Sequence, residues 1–408
     1  MTFDQITLPN GLRIIGERID HFRSVSVGLW LGTGSQYERP GEEGLSHFLE
    51  HMVFKGTAKR TARQIAEEMD AVGGQLNAFT AKECTCFYAK VVDEHLRLAM
   101  DVISDLVTAP TFDPVELEKE KGVVIEEINM AEDTPEDVAF ELLMQAHYGV
   151  QPLSKPILGE MAQIQSYHSE DLRRYWSLRY RPQNAVLALA GNYDWGMVQD
   201  LAQKLLGGWS GDGLEARPFA TLPCAPARLT REKDIEQIHI CLGFPGLSTG
   251  DDRGFELSIF NSVYGGAMSS RLFQKIREEL GMAYTVYSYP NAYTDTGMLA
   301  VYAATNPGAA EQVIDLIVRE ARALAETGMS REEFQMAREQ MKAGYIMWLE
   351  STSARMQSIG RRLLLLDRTR TETETIDRIN AIDFDTTNAL MRDILTADYS
   401  TALVGKVK

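Results

Sequence analysis

His47 and His51 stand four residues apart in the segment His47-Phe48-Leu49-Glu50-His51. On a helix that spacing places the two imidazoles one turn apart on one face, so both rings can reach a single cation. Glu50 follows His47 by three residues and adjoins His51, where its carboxylate can sit beside a metal without being a ligand. Neutral imidazoles suit Zn²⁺, and a free carboxylate next to it suits taking a proton from an attacking water. The order reverses the commoner H-E-x-x-H and is a zinc hydrolase pattern in its own right. A catalytic zinc ordinarily takes three protein ligands and keeps a fourth position for water, so another ligand must come from elsewhere in the chain. Glu116, Glu118, Glu120, Glu126 and Glu127 crowd one helical stretch downstream, and composition does not choose among them.

The elements that must position these groups can be read from their periodicity. Residues 11–32 alternate as strands, and the histidine segment follows as a helix. A second helix is expected from the N-cap Thr61 through Ile65, Met69 and Val72 to a stop at Gly73-Gly74. Gln75 to Val92 alternates like a hairpin with its turn near Lys82-Glu83. Long helical patterns follow at 94–109 and 114–132. Strands joined by hairpins, with helices clustered between them, predict an α+β fold whose sheets are mostly antiparallel.

The chain of 408 residues suffices for two domains, and its composition of 44% hydrophobic residues can fill two cores. A net charge of −17 argues against nucleic-acid binding and favours a well-solvated surface and cationic substrates. The four cysteines, Cys84, Cys86, Cys224 and Cys241, make no disulfide scaffold; Cys84 and Cys86 read as small buried residues on one strand face. The first residues show neither a secretory signal nor an Arg-rich transit peptide, and no run approaches a membrane span. A cytoplasmic protein is the expectation, with a processed organellar form as the alternative.

Residues 210–228 carry Gly211, Gly213, Pro218, Pro223 and Pro226 and read as a linker between domains 1–209 and 229–408. The halves repeat weakly. Gly44 to Phe54 can be laid over Gly254 to Tyr264, each preceded by an apolar strand, Val25–Leu31 and Ile238–Leu242. Where the first half has His47, Glu50 and His51, the second has Leu257, Phe260 and Asn261. The expectation is two homologous domains, one able to bind metal and one not.

On the segments His47-Phe48-Leu49-Glu50-His51 and Gly73-Gly74-Gln75-Leu76-Asn77-Ala78 and the glutamate helix, the chain resembles the M16 metallopeptidases. It is similar to their short branch, which includes the processing-peptidase β-subunit and its bacterial relatives. The resemblance implies a third zinc ligand 76 residues after the second histidine, which is Glu127, and a supporting glutamate outside the ligand set, which is Glu120. Seven residues are close to two helical turns, so Glu120 and Glu127 share a face. Arg277 and Tyr284 match the pair that touches the substrate carbonyl and the developing oxyanion. Asn77 and Ala78 match an edge strand to which a peptide adds by main-chain pairing. Asp137 and Glu141 match acidic positions that receive an arginine near the cleaved bond. His21, His95, His147, His168 and His239 match nothing with ligand spacing.

The resemblance implies one Zn²⁺ per chain and an endopeptidase for extended peptides or unfolded segments, acting near arginine in a chamber between two chains. The partner would be a second copy or a related subunit, lending Arg277 and Tyr284 across the dimer. The competing expectation is a silent peptide-binding or structural subunit. Silent relatives lose a ligand or the base, whereas this sequence has all four residues.

Overall fold

The computed structural model describes residues 3–211 and 221–406, which form two compact units. The first comprises 3–129, 156–211 and 347–373, and the second 130–155, 221–346 and 374–406. This division departs from the halves 1–209 and 229–408, because residues 130–155 and 347–373 each join the unit of the other half. Of the expected linker, 212–220 lie outside the described residues, and 221–227 form neither helix nor strand.

In the first unit the strands are β1 (Asp4–Thr7), β2 (Arg13–Arg18), β3 (Ser24–Leu31), β4 (Gln75–Thr80), β5 (Thr85–Val92) and β6 (Ala185–Gly191). They form one sheet in the order β1-β2-β6-β3-β5-β4, antiparallel except between β2 and β6. Alternation along β3 divides its side chains between two cores. Val25, Val27, Leu29 and Leu31 face the large core under the helices. Trp30 faces the other side, with Met356, Ile359 and Leu363 from the helix Thr352–Leu366. A sheet covered on both faces needs apolar residues at every position, and β6 is buried throughout. Each fully buried aliphatic side chain of the covering helix contributes about 1.5–3 kcal/mol, which is what holds a segment from the far end of the chain in place.

The second unit repeats the plan. Its strands are β7 (Arg228–Glu232), β8 (Ile238–Pro245), β9 (Ala283–Ala292), β10 (Gly297–Thr305) and β11 (Ser400–Gly405), in the order β7-β11-β8-β10-β9 with only β7 and β11 parallel. Matching β7 to β2, β11 to β6, β8 to β3, β10 to β5 and β9 to β4 reproduces the first sheet without β1. Here one face packs against Val138, Ala139, Leu143 and Met144 of a helix from the first half of the sequence, Pro135–Tyr148. The internal repeat is therefore structural, and the architecture is α+β with two mostly antiparallel sheets.

The elements around the histidines match their sequence signals. They are helices α1 (Leu45–Val53), α2 (Ala62–Asp70), α3 (Leu96–Thr108) and α4 (Pro114–Asp133). Thr61 and Gln64 form a reciprocal cap on α2, which ends before Gly73 with its positive φ of 62°. The hairpin β4–β5 turns at 81–84. Cys84 and Cys86 are buried beside Trp30 as small core residues, and burial pushes the Cys84 thiol up to about 11.

Candidate metal centre

Two stripes interleave on α1. Leu45, Phe48, Leu49 and Met52 recur at helical spacing and are buried in the core. His47, Glu50 and His51 recur on the neighbouring side and stay partly accessible. Core packing thus fixes the rotation of the helix and, with it, the direction of the rings.

The helix starts abruptly. Gly44 has φ +83°, and a Cβ there would lie 2.6 Å from the Leu158 carbonyl oxygen. Glu38, buried, caps the first turn: the Gly44 N–H donates to its Oε2 at 2.9 Å and the Ser46 N–H to its Oε1 at 2.8 Å. Burial pushes this carboxyl up to about 8, against the opposing pull of the Ser46 and Gly44 donors. The Ser46 hydroxyl lies 2.8 Å from the buried Tyr175 hydroxyl, which ties the same turn to the core.

Helix α4 supplies the carboxylates. Leu117, Glu120, Val124 and Ile128 form its buried face, and half-buried Glu127 lies on the same side. Glu116 pairs with Lys119 and Glu118 with Lys121, while Glu126 is exposed, so packing makes the selection that composition could not. The Nε2 atoms of His47 and His51 lie 3.7 and 3.4 Å from Oε2 of Glu127. Taking one donor atom from each of these residues, all three lie within 4.8 Å of one another. Nδ1 of His51 lies 2.9 Å from Oε1 of Glu120, whose Oε2 is 2.6 Å from the Lys55 ammonium. Thr80, on β4, donates its hydroxyl to Oε2 of Glu50 at 2.5 Å.

Charge sharpens the picture. Burial, with the neighbouring His51 second, lowers the His47 pKa to about 4, so this ring is neutral. Burial acts downward on His51 too, but the Glu120 hydrogen bond and the charges of Glu127, Glu120 and Glu50 outweigh it and raise the pKa. Burial pushes the Glu50 carboxyl up despite Thr80 and His51, with Glu127 adding to the rise. A neutral His51 ring has one N–H and one lone pair, yet a carboxylate oxygen faces each of its nitrogens. Whichever neutral tautomer forms, a lone pair meets a carboxylate, so the pair of carboxylates favours either a second proton on the ring or a cation held between its lone pair and Glu127. Two imidazole nitrogens and one carboxylate oxygen are a donor set that fits Zn²⁺. Among the described residues no other group of three or more His, Cys, Asp or Glu is arranged to hold a metal ion. At the equivalent helix of the second unit, Leu257, Phe260 and Asn261 are buried, and Asn261 accepts a hydrogen bond from Ser288.

The remaining sequence-derived positions fall in two places. Asn77 and Ala78 lie on β4, the last strand of the first sheet, whose outer edge has no strand partner among the described residues. The Ala78 N–H donates to the Asn77 side-chain oxygen at 2.8 Å. Arg277, Tyr284, Asp137 and Glu141 belong to the second unit. The Arg277 guanidinium lies 4.7 Å from the ring centre of Phe273 and 4.8 Å from that of Tyr284, which is 75% exposed. Asp137 is exposed and Glu141 half-buried on their helix. Sequence reasoning missed Glu38, Thr80 and Lys55. Of these only Lys55, four residues beyond His51, carried a spacing signal.

A helix bearing H-x-x-E-H, a carboxylate from a second helix and an open-edged strand in the same unit define a zinc hydrolase type of centre. The first part of the chain, residues 13–161, matches the family described as Insulinase (Peptidase family M16), and residues 167–341 match the Peptidase M16 inactive domain. The chain is 44% identical over 402 residues to the uncharacterized zinc protease YmxG of Bacillus subtilis, covering 98% of this chain and 97% of the relative. It is 36% identical to an uncharacterized zinc protease of Streptomyces coelicolor, covering 100% and 90%. The fold is shared with a protease from Helicobacter pylori, with a TM-score of 0.92 at 21% identity over 99% of both chains. It is shared equally with a peptidase M16 inactive domain structure from Pseudomonas fluorescens, with a TM-score of 0.92 at 18% identity over 100% and 98%. The chain belongs to the M16 peptidase family. No helix among the described residues is long and apolar enough to cross a membrane.

Proposed function

We propose that this chain is a zinc-dependent endopeptidase for extended peptides or unfolded polypeptide segments. The observation that carries the reading is the convergence of His47, His51 and Glu127 beside a Glu50 carboxylate held by the strand that would receive substrate. His47, His51 and Glu127 would hold the metal, which supplies the Lewis acidity that makes water reactive near neutral pH and polarises a carbonyl. The Thr80 hydroxyl occupies Oε2 of Glu50, leaving Oε1 to take a proton from the attacking water and pass it to the leaving amine. A substrate strand pairing with the outer edge of β4 would take the Ala78 N–H from Asn77 and lie across the metal by backbone bonds alone. That mode tolerates many sequences.

Arg277 and Tyr284 would donate to the developing oxyanion from a partner chain, either a second copy or a related subunit, in a closed chamber. Asp137 and Glu141 would receive an arginine near the cleaved bond. Four cysteines without a disulfide fit a reducing cytoplasm. The presence of both histidines, Glu127 and the base favours an enzyme over a silent subunit.

The test is metal analysis combined with cleavage of an extended arginine-containing peptide, with and without chelator. Glu50→Gln is expected to keep its zinc and lose about 10²–10⁴-fold in turnover, the usual scale for a general base. Ordinary cleavage by that variant refutes the assignment. Mixing Glu50→Gln with Tyr284→Phe chains should restore activity if the sites are completed across a dimer. Exchange of chains without restoration rules that arrangement out.

A further inference from the structure

We propose that Lys55 is a positioning residue for the metal, acting through Glu120 to set which nitrogen of His51 is free to bind it. The inference rests on the zinc reading above and extends it by one residue. The two oxygens of Glu120 are fully assigned: Oε1 faces Nδ1 of His51 at 2.9 Å and Oε2 faces the Lys55 ammonium at 2.6 Å. The Glu120 side chain is only 6% exposed, so these two groups replace most of its water.

Geometry makes the arrangement compact. His51 and Lys55 are four residues apart at the C-terminal end of α1, where the Lys55 N–H still donates to the Met52 carbonyl. A single carboxylate from α4 therefore bridges two side chains separated by one turn, at the helix end where a cation is favoured. With Oε1 of Glu120 accepting at Nδ1 of His51, 2.9 Å away, the ring carries its N–H on Nδ1, and that leaves the Nε2 lone pair directed toward Glu127 and the metal.

The charge count leads to the same place. A bound Zn²⁺ with neutral His47 and His51 and ionised Glu127, Glu50 and Glu120 leaves an excess negative charge in a largely buried site. Among the described residues Lys55 is the cation in direct contact with that set, and it brings the set to neutrality. Without the ammonium, Glu120 loses the partner of one oxygen and its hold on the ring slackens.

The experiment measures zinc affinity by competition with a chromophoric chelator in the full-length chain, alongside the melting temperature of the zinc-free forms. Four proteins are compared with the parent: Lys55→Met, Lys55→Arg, Glu120→Gln and the double variant Lys55→Met/Glu120→Gln. Lys55→Met should bind zinc about 10-fold more weakly, the lower end of what loss of an outer partner of a ligating histidine causes, and Lys55→Arg should recover most of that. In the Glu120→Gln background the same change should cost less than about twofold, because the residue through which it acts is gone. Zinc-free Lys55→Met melting with the parent shows that the loss is not one of folding. The proposal is overturned if Lys55→Met binds zinc as the parent does, or if its loss persists undiminished in Glu120→Gln. A parent that takes up no zinc overturns the metal reading itself and this inference with it, a result distinct from either.

Discussion

Gly41 and Gly44 flank the entry to the histidine helix, and alanine at each should separate backbone strain from crowding. Both have positive φ, +93° and +83°, so each pays a similar conformational penalty on gaining a Cβ, about 1–3 kcal/mol. Their surroundings differ. A Cβ at Gly41 meets nothing within 4 Å, whereas at Gly44 it meets the Leu158 carbonyl oxygen at 2.6 Å and the Gly159 Cα at 2.9 Å. Those are backbone atoms and cannot rotate away, so Gly44→Ala should cost a further ~1–3 kcal/mol, the scale of overpacking. For a domain of this size each kcal/mol moves the melting temperature by about 2–4 °C, so Gly44→Ala should melt ~2–12 °C below Gly41→Ala. Thermal unfolding followed by circular dichroism reads the difference, and zinc content reads whether α1 still begins where it must. Coincident melting curves would refute the reasoning, since crowding at Gly44 is the difference between the two.

Two further outcomes follow from the contacts around α1. Thr80→Val removes a hydrogen bond to a charged group, worth roughly 1.5–3 kcal/mol, so turnover should fall about 10–100-fold while zinc stays bound; Thr80→Ser should retain activity, and equal rates for Val and Ser would show that the hydroxyl is idle. Burial raises the Glu38 carboxyl to about 8, so its contribution to stability is fully present below the unfolded value near 4.5 and is lost as pH rises through about 8. The melting-temperature advantage of the parent over Glu38→Gln should therefore be greatest near pH 5 and shrink towards pH 9, and a constant gap would contradict that sign.

Much of the site was legible because it lies on strongly periodic segments. Leu45, Phe48, Leu49 and Met52 define one stripe of α1 and thereby aim His47, Glu50 and His51 the other way. The reciprocal Thr61–Gln64 cap and the β4–β5 hairpin carry local signals that tertiary packing did not override. Glu127 was different. Its helix holds several glutamates of the same chemistry, and only the family spacing and the seven-residue phase with Glu120 separated it from neighbours that turn to solvent. Glu38 and Thr80 left no trace because each reaches its partner from a loop or strand whose approach is set by the whole sheet. The crossing of two helices into the unit of the other half was hidden for a related reason: periodicity shows that 135–148 and 352–366 are helices with one apolar face, not which sheet that face covers.

The exchange of those two helices ties the fate of one half to the other. A gene cut in the middle would yield two polypeptides, each lacking the lid of its own sheet and carrying the lid of its neighbour's. Neither piece would be expected to stand alone in water, but brought together they have everything needed to reconstitute.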